Sequence, residues 1–384
     1  MLDVVKLTQD LIRIPSTTGN EGNIIQFIYD KLKPYADKII VDNKGNLEAK
    51  IIFNTNNPTV LFNGHVDTVD PGAMEKPYSG EIIDGEKFDL KEDVVYGRGA
   101  ADMKSGDAAA ISVFSKLKEL PDAPNFIAHF VVEEETGKGP GTKFVMENLE
   151  EKVDIALSGE PTGLDICLGF RGWVQFQLET YGKTSHASDP DKGINAIISM
   201  NYFLNELKKY IIVQEKKVHP FLGKLTCAIT NIESSPGRLS VVPDICRLIF
   251  DSRYFPDEKP QDREKEIKAI LKEIKKNKSD FNANLKMLYG DMRPTFLPPD
   301  NYYVQLLKKA FYETKNQKPI LRSWRFTADS SYIANNFGIP TVGFGPGFEE
   351  VVHTPIEYVP ISHLETTVQV YLKFLSLVAR NKEY

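Results

Sequence analysis

Residues 58–69 read PTVLFNGHVDTV, an apolar run that ends in polar side chains, among them His65 and Asp67. Two further stretches repeat this pattern, NFIAHFVVEEETG at residues 125–137 and VDIALSGEPT at residues 153–162. Short apolar runs bounded by turn residues are typical of buried strands, and helical patterns separate them along the chain. This alternation predicts an α/β fold with a largely parallel sheet, in which function collects beyond the carboxyl ends of the strands.

Composition and length exclude several classes of protein. The chain of 384 residues is long enough for two domains, and its net charge of −6 argues against nucleic-acid binding, which normally requires a basic surface. No apolar run reaches the roughly 18 residues of a membrane span, and the N-terminus lacks the pattern of a signal peptide. The three cysteines form no C-x-x-C pair, which favours reduced thiols and a cytoplasmic location.

The middle of the chain has a different pattern. WVQFQLETYG, for example, alternates apolar and polar residues, as a half-exposed strand does. The predicted order of elements there is strand, helix, strand, strand, helix, strand, which is the order of a ferredoxin-like domain. We therefore predict a three-layer α/β/α catalytic domain built from residues 1–169 and 291–384, with a ferredoxin-like (βαββαβ) domain inserted at residues 170–290.

Carboxylates and histidines follow predicted strands or turns at five places. Gathered in one cleft, carboxylates repel one another and lose hydration, at a cost of several kcal/mol per ion unless a cation offsets it. Imidazole and carboxylate suit zinc and similar divalent metals, and the set is too large for one tetrahedral ion. Two metal ions that share a carboxylate are therefore expected. The candidates are His65 and Asp67 in NGHVDTV, Asp102 in GRGAADMKSG, Glu133, Glu134 and Glu135 in VVEEETG, Glu160 in SGEPT and His353 in EEVVHTP.

Each position has an alternative explanation when it is taken alone. Asp67 could cap a helix beside an incidental histidine, and Asp102 could be a turn or N-cap aspartate. The three consecutive glutamates could form a solvated strand end. In a metal site, one of them would bind metal and a neighbour would be the general base, but spacing does not assign these roles. The occurrence of all five places in one predicted domain favours the metal site.

The other histidines have different contexts. His129 lies within an apolar strand and is predicted in or near the core, whereas His219 and His363 are predicted at the surface. His186 lies in the turn YGKTSHASDP. There it could donate a hydrogen bond to a developing oxyanion, or it could be an ordinary surface residue.

The chain resembles the two-metal hydrolase family that includes acetylornithine deacetylase, succinyl-diaminopimelate desuccinylase, aminoacylase and glutamate carboxypeptidase. The resemblance rests on NGHVDTV, GRGAADMKSG, the segment 133–137, SGEPT and EEVVHTP, which occur in this order across essentially the whole chain. It implies an α/β catalytic domain interrupted by a lid domain that forms a homodimer.

The resemblance also implies which residues bind the two divalent metal ions. His65 and Glu160 would bind one ion, Glu135 and His353 would bind the other, and Asp102 would bridge both. Zinc is the expected metal, and cobalt or manganese would also suit these ligands.

Further roles are implied for five other residues. Glu134 would be the general base, Asp67 would orient the histidine of its own motif, and His186 would reach the active site of the partner subunit. Arg253 in the DSR segment would bind a substrate carboxylate, although a surface ion pair would equally explain it. Thr327 in RFTADSS matches a threonine-containing loop of the family.

The activity implied by the resemblance is cleavage of the amide bond of N-acyl amino acids by attack of a metal-bridging water, as in the acetylornithine deacetylase branch. The alternative within the family is a dipeptidase or carboxypeptidase, and the alternative without catalysis is an inactive relative that only binds or dimerises. The expected partners are a small N-acyl amino acid or short peptide and a second copy of the chain, with no role for nucleic acid or membrane.

Overall fold

The structure is a computed structural model that describes residues 2–290 and 292–380. It contains two compact units. Unit 1 comprises Met1–Gly169, Phe296–Trp324 and Ala328–Tyr384, and unit 2 comprises Phe170–Thr295 and Arg325–Thr327. No helix in the described part of the chain combines the length and the apolar character that crossing a membrane requires.

The elements of regular structure follow one another in three sections of the chain. The first section contains α1 (Val4–Ile12), α2 (Gly22–Leu32), β1 (Lys38–Val41), β2 (Leu47–Ile51), β3 (Thr59–His65), β4 (Glu81–Ile83), β5 (Val94–Tyr96), α3 (Lys104–Leu117), β6 (Asn125–Val131), α4 (Pro140–Glu147), β7 (Ile155–Ser158), β8 (Ile166–Cys167) and β9 (Gly169–Phe170). The second contains β10 (Gly172–Tyr181), α5 (Ala196–Gln214), β11 (Val218–His219), β12 (Gly223–Lys224), β13 (Cys227–Ser235), β14 (Ile245–Tyr254), α6 (Pro260–Asn277) and β15 (Asn282–Tyr289). The third contains β16 (Thr295–Phe296), α7 (Tyr302–Lys315), β17 (Leu321–Arg322), α8 (Ser330–Phe337), β18 (Thr341–Gly343), β19 (Tyr358–Pro360) and α9 (Ile361–Arg380).

The main sheet of unit 1 has the strand order β1-β2-β6-β3-β7-β18-β8-β17. Its central strands β6, β3, β7 and β18 are parallel to their neighbours within this group. Asn63 of β3 is in register with His129 of β6 and with Ser158 of β7. Because these strands are parallel and in register, the residues that follow them lie along one edge of the sheet.

Apolar side chains pack against helices on both faces of this sheet. Leu61 and Ile127 share a buried cluster with residues of α4 and α8 on one face. The neighbouring Phe62 points to the other face, where its ring centroid lies 6.2 Å from that of Tyr371 in α9. Each fully buried side chain of this size contributes about 1.5–3 kcal/mol. Helices on both faces make three layers, which confirms the predicted α/β fold class.

Unit 2 has a four-stranded antiparallel sheet in the order β13-β14-β10-β15. Buried and half-buried residues alternate along β10. Its buried residues share one core with α5 and α6, which contribute Phe203 and Ile267. Numbered along the chain, the four strands have the spatial order 2-3-1-4, and two helices pack on them in a βαββαβ sequence. This is the ferredoxin-like arrangement.

Candidate active site

Asp102 connects two groups of potential metal ligands in unit 1. Its Oδ1 lies 2.9 Å from Nε2 of His65, and its Oδ2 lies 3.1 Å from Nε2 of His353. Glu160 Oε1 lies 3.7 Å from His65 Nε2, and Glu135 Oε1 lies 3.1 Å from His353 Nε2. Within each group, one His, Asp102 and one Glu offer ligand atoms that lie within 4.8 Å of one another.

The parallel strands explain why these residues meet. β3 ends at His65, β6 ends just before the three glutamates, and β7 ends two residues before Glu160. Asp102 comes from the turn that precedes α3, and His353 comes from the loop after β18. His353 and Glu133 have φ angles of 60° and 61°, which are uncommon for residues other than glycine. Such strained backbone, at about 1–3 kcal/mol per residue, tends to occur at functional sites.

The charges of this cluster favour a bound cation. Burial raises the pKa of the Glu160 carboxyl well above its ordinary value, and the charge of Asp102 raises it further. Burial would also raise the pKa of Asp102, but hydrogen bonds with His353 and His65 outweigh burial and lower it. The same bonds with Asp102, together with those to Glu135, raise the pKa of His353 to about 10. Carboxylates thus surround both imidazoles, and divalent cations fit this set of nitrogen and oxygen donors.

Glu134 is a buried carboxyl that belongs to neither ligand group. Its side chain is 9% exposed. Burial raises its pKa well above the ordinary value, and the charges of Asp329, Glu160 and Glu135 add to this effect. A buried carboxyl with a raised pKa, next in the chain to a potential metal ligand, is suited to general acid–base catalysis.

Asp67 fixes the backbone of the glutamate turn. It is fully buried, and its Oδ1 accepts a hydrogen bond from the Glu134 amide at 3.0 Å. Its Oδ2 accepts from the Glu135 amide at 3.1 Å and from the Thr18 hydroxyl at 2.8 Å. Nδ1 of His65 lies 2.9 Å from the backbone carbonyl of Asp67 and 3.6 Å from its Oδ1. The carbonyl is therefore the closer acceptor for Nδ1–H, and this bond directs Nε2 towards the ligand group.

The remaining predicted site residues belong to unit 2. His186 is exposed, and the Ser188 amide donates to its Nδ1 at 3.2 Å, so that Nε2 carries the hydrogen in the neutral ring. Arg253 is largely buried, and its Nε lies 3.3 Å from Oδ1 of Asp251. Thr327 is half-buried.

The other three histidines lie outside these groups. His129 is fully buried, and its Nε2 lies 3.0 Å from Oε2 of Glu48. His219 is half-buried in unit 2. His363 is only partly at the surface, because its ring packs edge-on against Phe348 with a centroid distance of 4.9 Å. This last contact joins residues 15 positions apart, so local sequence context did not indicate it.

Several charged residues that hold the ligand loops escaped sequence reasoning. Arg322 donates to the carbonyl of Thr162 at 2.9 Å and to Oε2 of Glu349 at 2.8 Å, which links the SGEPT segment to the loop that carries the EEVVHTP motif. A buried ion pair between Arg98 and Glu357 lies next to the GRGAAD turn. The arginine inside this glycine-rich turn was a visible signal, whereas nothing in the sequence near Arg322 indicated its contacts.

Comparisons with known proteins find relatives of the chain in sequence and in fold. The sequence profile of peptidase family M20/M25/M40 matches residues 61–377. The chain is 30% identical over 389 residues to the succinyl-diaminopimelate desuccinylase of Hydrogenovibrio crunogenus, with 97% of both proteins covered. The aminopeptidase PepT of Bacillus cereus superposes with a TM-score of 0.79 at 21% identity and 98% coverage of both chains. The YXEP protein of Bacillus subtilis, a dinuclear metal-binding peptidase, superposes with a TM-score of 0.75 at 15% identity, again with 98% of both chains covered. The family indicated by the motifs is thereby confirmed, and the chain belongs to peptidase family M20/M25/M40, whose members hydrolyse amide and peptide bonds.

Proposed function

We propose that this protein is a two-metal hydrolase that cleaves the amide bond of N-acyl amino acids, in the manner of the acetylornithine deacetylase branch. The observation that carries the proposal is the position of Asp102, whose two carboxylate oxygens face two separate groups of one histidine and one glutamate. The buried Glu134 beside these groups supports it further. The 30%-identical relative is by name a desuccinylase, an enzyme that removes an acyl group.

The two ligand groups support the metal-binding roles in this proposal. His65 and Glu160 would hold one ion, Glu135 and His353 would hold the other, and Asp102 belongs to both groups and would be shared between them. We expect zinc, and cobalt or manganese would suit the same donors. A structural relative, the YXEP protein, is described as dinuclear, which supports two ions. When bound, such ions supply Lewis acidity and lower the pKa of water in the site.

Glu134 carries the proton in this reaction. Its carboxylate accepts a proton from water as the water oxygen bonds to the amide carbon. It then donates this proton to the amide nitrogen as the carbon–nitrogen bond breaks, which releases a carboxylic acid and an amine. Its buried position raises its affinity for the proton, and the hydrogen bond from its backbone amide to Asp67 holds it in place.

The proposal gives unit 2 a role in substrate binding and dimer formation. His186 of one subunit would donate a hydrogen bond from Nε2 to the developing oxyanion in the partner subunit. Arg253 would bind the substrate carboxylate in exchange for its present partner Asp251, and Thr327 would contact the substrate nearby. The edge strand β13 supports a homodimer, because eight of its nine residues are exposed, Ile229 among them. We further propose a cytoplasmic location, since the three cysteines are all unbridged.

A substrate panel and one pair of variants test the activity. Purified protein with its metal content measured would be offered N-acetyl and N-succinyl amino acids alongside dipeptides. Turnover of the acylated amino acids is expected, whereas turnover of dipeptides alone would replace deacylation by the peptidase alternative. Glu134→Gln should lower kcat by about 10²–10⁴-fold with both metal ions retained. Glu133→Gln is the matched control, since Glu133 is in neither ligand group, and an unchanged rate in Glu134→Gln would refute the role of Glu134.

Mixing two inactive variants tests the role of His186 in the partner subunit. Glu134→Ala and His186→Ala would be refolded or co-expressed together, so that mixed dimers form. A mixed dimer contains one site with both Glu134 and His186 intact, and statistical pairing predicts recovery of about a quarter of the wild-type rate. Recovery no greater than the sum of the separate variants, or full activity of an isolated monomer, would refute the role in trans.

A further inference from the structure

A buried ion pair in unit 1 is bonded directly to the backbone of the shared metal ligand. Arg98 is 2% exposed and Glu357 is fully buried, and Nη1 of Arg98 donates to Oε2 of Glu357. The other oxygen of Glu357 accepts from the amide of Ala101 at 2.9 Å and from the amide of Asp102 at 3.0 Å. The carboxylate of Glu357 thus fixes the peptide groups from which the Asp102 side chain projects.

The same pair also reaches the loop that carries His353. Nη2 of Arg98 donates to the carbonyl of Thr354 at 3.1 Å, and Thr354 directly follows His353 in the chain. The backbone carbonyl of Glu357 accepts from the amide of Gly97 at 3.1 Å. The ion pair and these backbone bonds therefore connect segment 97–102 to segment 353–357 at several points. Asp102 and His353 are two of the three residues in one ligand group.

We propose that Glu357 and Arg98 are positioning residues that set the separation of Asp102 and His353 and thereby the affinity of this ligand group for its metal ion. The inference rests on the proposed two-metal function. A buried ion pair contributes little net stability relative to apolar side chains, because desolvation of the charges offsets their attraction. Its specific bonds to the backbone of both ligand segments are better explained by the need to hold metal ligands at fixed positions. Replacing residues that orient ligands typically lowers metal affinity by about 10- to 100-fold.

A second buried ion pair in unit 1 provides a matched control. Lys50 is 4% exposed, and its Nζ lies 2.8 Å from Oε1 of Glu48, whose other oxygen contacts His129. None of these three residues belongs to either ligand group. Glu48→Gln therefore removes a charge from a buried pair that contacts neither segment 97–102 nor segment 353–357. It should lower stability and leave metal affinity unchanged.

The experiment measures metal affinity and stability separately. Metal-free wild type, Glu357→Gln, Glu357→Ala, Arg98→Lys and Glu48→Gln would be titrated with Co²⁺, whose visible absorption reports each bound ion. Their unfolding midpoints would be measured without metal. We expect Glu357→Ala to raise one of the two Co²⁺ dissociation constants by about 10- to 100-fold. Glu357→Gln should be intermediate, because its amide oxygen still accepts from the two backbone amides, and Glu48→Gln should stay within about twofold of wild type.

Two results would overturn the inference. Co²⁺ affinities of the Glu357 variants within about twofold of wild type would remove the positioning role, and an equal loss in Glu48→Gln would show a general effect of destabilisation. If the Glu357 variants do not fold, Arg98→Lys carries the test, since lysine keeps the charge but replaces the rigid guanidinium, whose two nitrogens bond Glu357 and Thr354 separately, by a single nitrogen. Failure of the two-metal proposal itself is distinguishable, because wild type would then bind fewer than two Co²⁺ ions.

Discussion

Replacing Asp67 by alanine should destabilise the protein and weaken metal binding together. The fully buried carboxylate accepts hydrogen bonds from the amides of Glu134 and Glu135 and from the hydroxyl of Thr18. Alanine would leave both amides without this acceptor, whereas the hydroxyl can rotate to another partner. The turn that carries the proposed general base and one proposed metal ligand would then lose its bonds to the segment that follows β3.

The hydrogen bonds of Asp67 determine the expected size of the effect. A hydrogen bond to a charged group contributes about 1.5–3 kcal/mol, so the loss of the two amide bonds should lower the free energy of unfolding by about 3–6 kcal/mol. Thr18→Val removes only the third bond, which also goes to the carboxylate, and should cost half as much, about 1.5–3 kcal/mol. Because Glu135 is a proposed ligand, the alanine variant should also weaken metal binding by about 10- to 100-fold.

Urea denaturation of the metal-free proteins and a metal titration of each variant measure these effects. Asp67→Asn is the informative intermediate, since its amide nitrogen must face at least one of the three donors and cannot accept from it. The reasoning is refuted if Asp67→Ala unfolds within about 1 kcal/mol of Thr18→Val, or if its metal affinity equals that of wild type.

Three further predictions concern the core, the pH dependence and the metal ions. A Cβ at Gly343 would lie 1.9 Å from the ring of the buried Trp324, whose Nε1 donates to the Pro161 carbonyl at 2.9 Å, so Gly343→Ala should cost about 1–3 kcal/mol. Calorimetry should show a lower Tm that Trp324→Leu partly rescues in the double variant, and simple additivity would contradict the proposed clash. Burial lowers the pKa of His363 from 6.5 to about 4, although the charge of Glu92 opposes this, so the unfolded state binds the proton more readily between these values. The stability contributed by neutral His363 is complete above pH 6.5 and decreases as the pH falls towards 4, by at most about 3 kcal/mol, and His363→Phe should abolish this slope in urea midpoints measured across that range. Chelation should lower the Tm of the wild type, and metal at 100 times its Kd should restore about 2.7 kcal/mol, so an unchanged Tm would argue against a bound cation.

The meeting of the site's acids and histidines at one edge of the sheet could be predicted from the sequence, because one physical rule governs it. Parallel strands in register end together, so the acids after β6 and β7 had to lie beside His65 once the strands were recognised. The contacts of Glu357 follow no such rule. They join residues more than 250 positions apart, through side-chain geometry that no periodic pattern records.

Asp67 illustrates the same limit at short range. Its position two residues after His65 suggested that its carboxylate orients the imidazole. The backbone carbonyl lies 2.9 Å from Nδ1 and the carboxylate oxygen 3.6 Å from it, and the carboxylate also accepts from the amides of the glutamate turn. Sequence spacing shows that two residues are neighbours, but it does not show which atom of a residue faces which partner.

The place of β18 in the main sheet has a consequence for biosynthesis. This strand lies between β7 and β8, although it begins at Thr341 and β8 ends at Cys167. A ribosome adding about 5–20 residues per second needs roughly ten to thirty seconds to make the intervening chain. During most of that time β7, already paired with β3, has one open edge, and β8 lacks both of its partners, β17 and β18. Such exposed strand edges are prone to associate with other chains. We expect nascent chains stalled before residue 341 to be protease-sensitive and to bind chaperones, and protection equal to that of the finished protein would contradict this order of assembly.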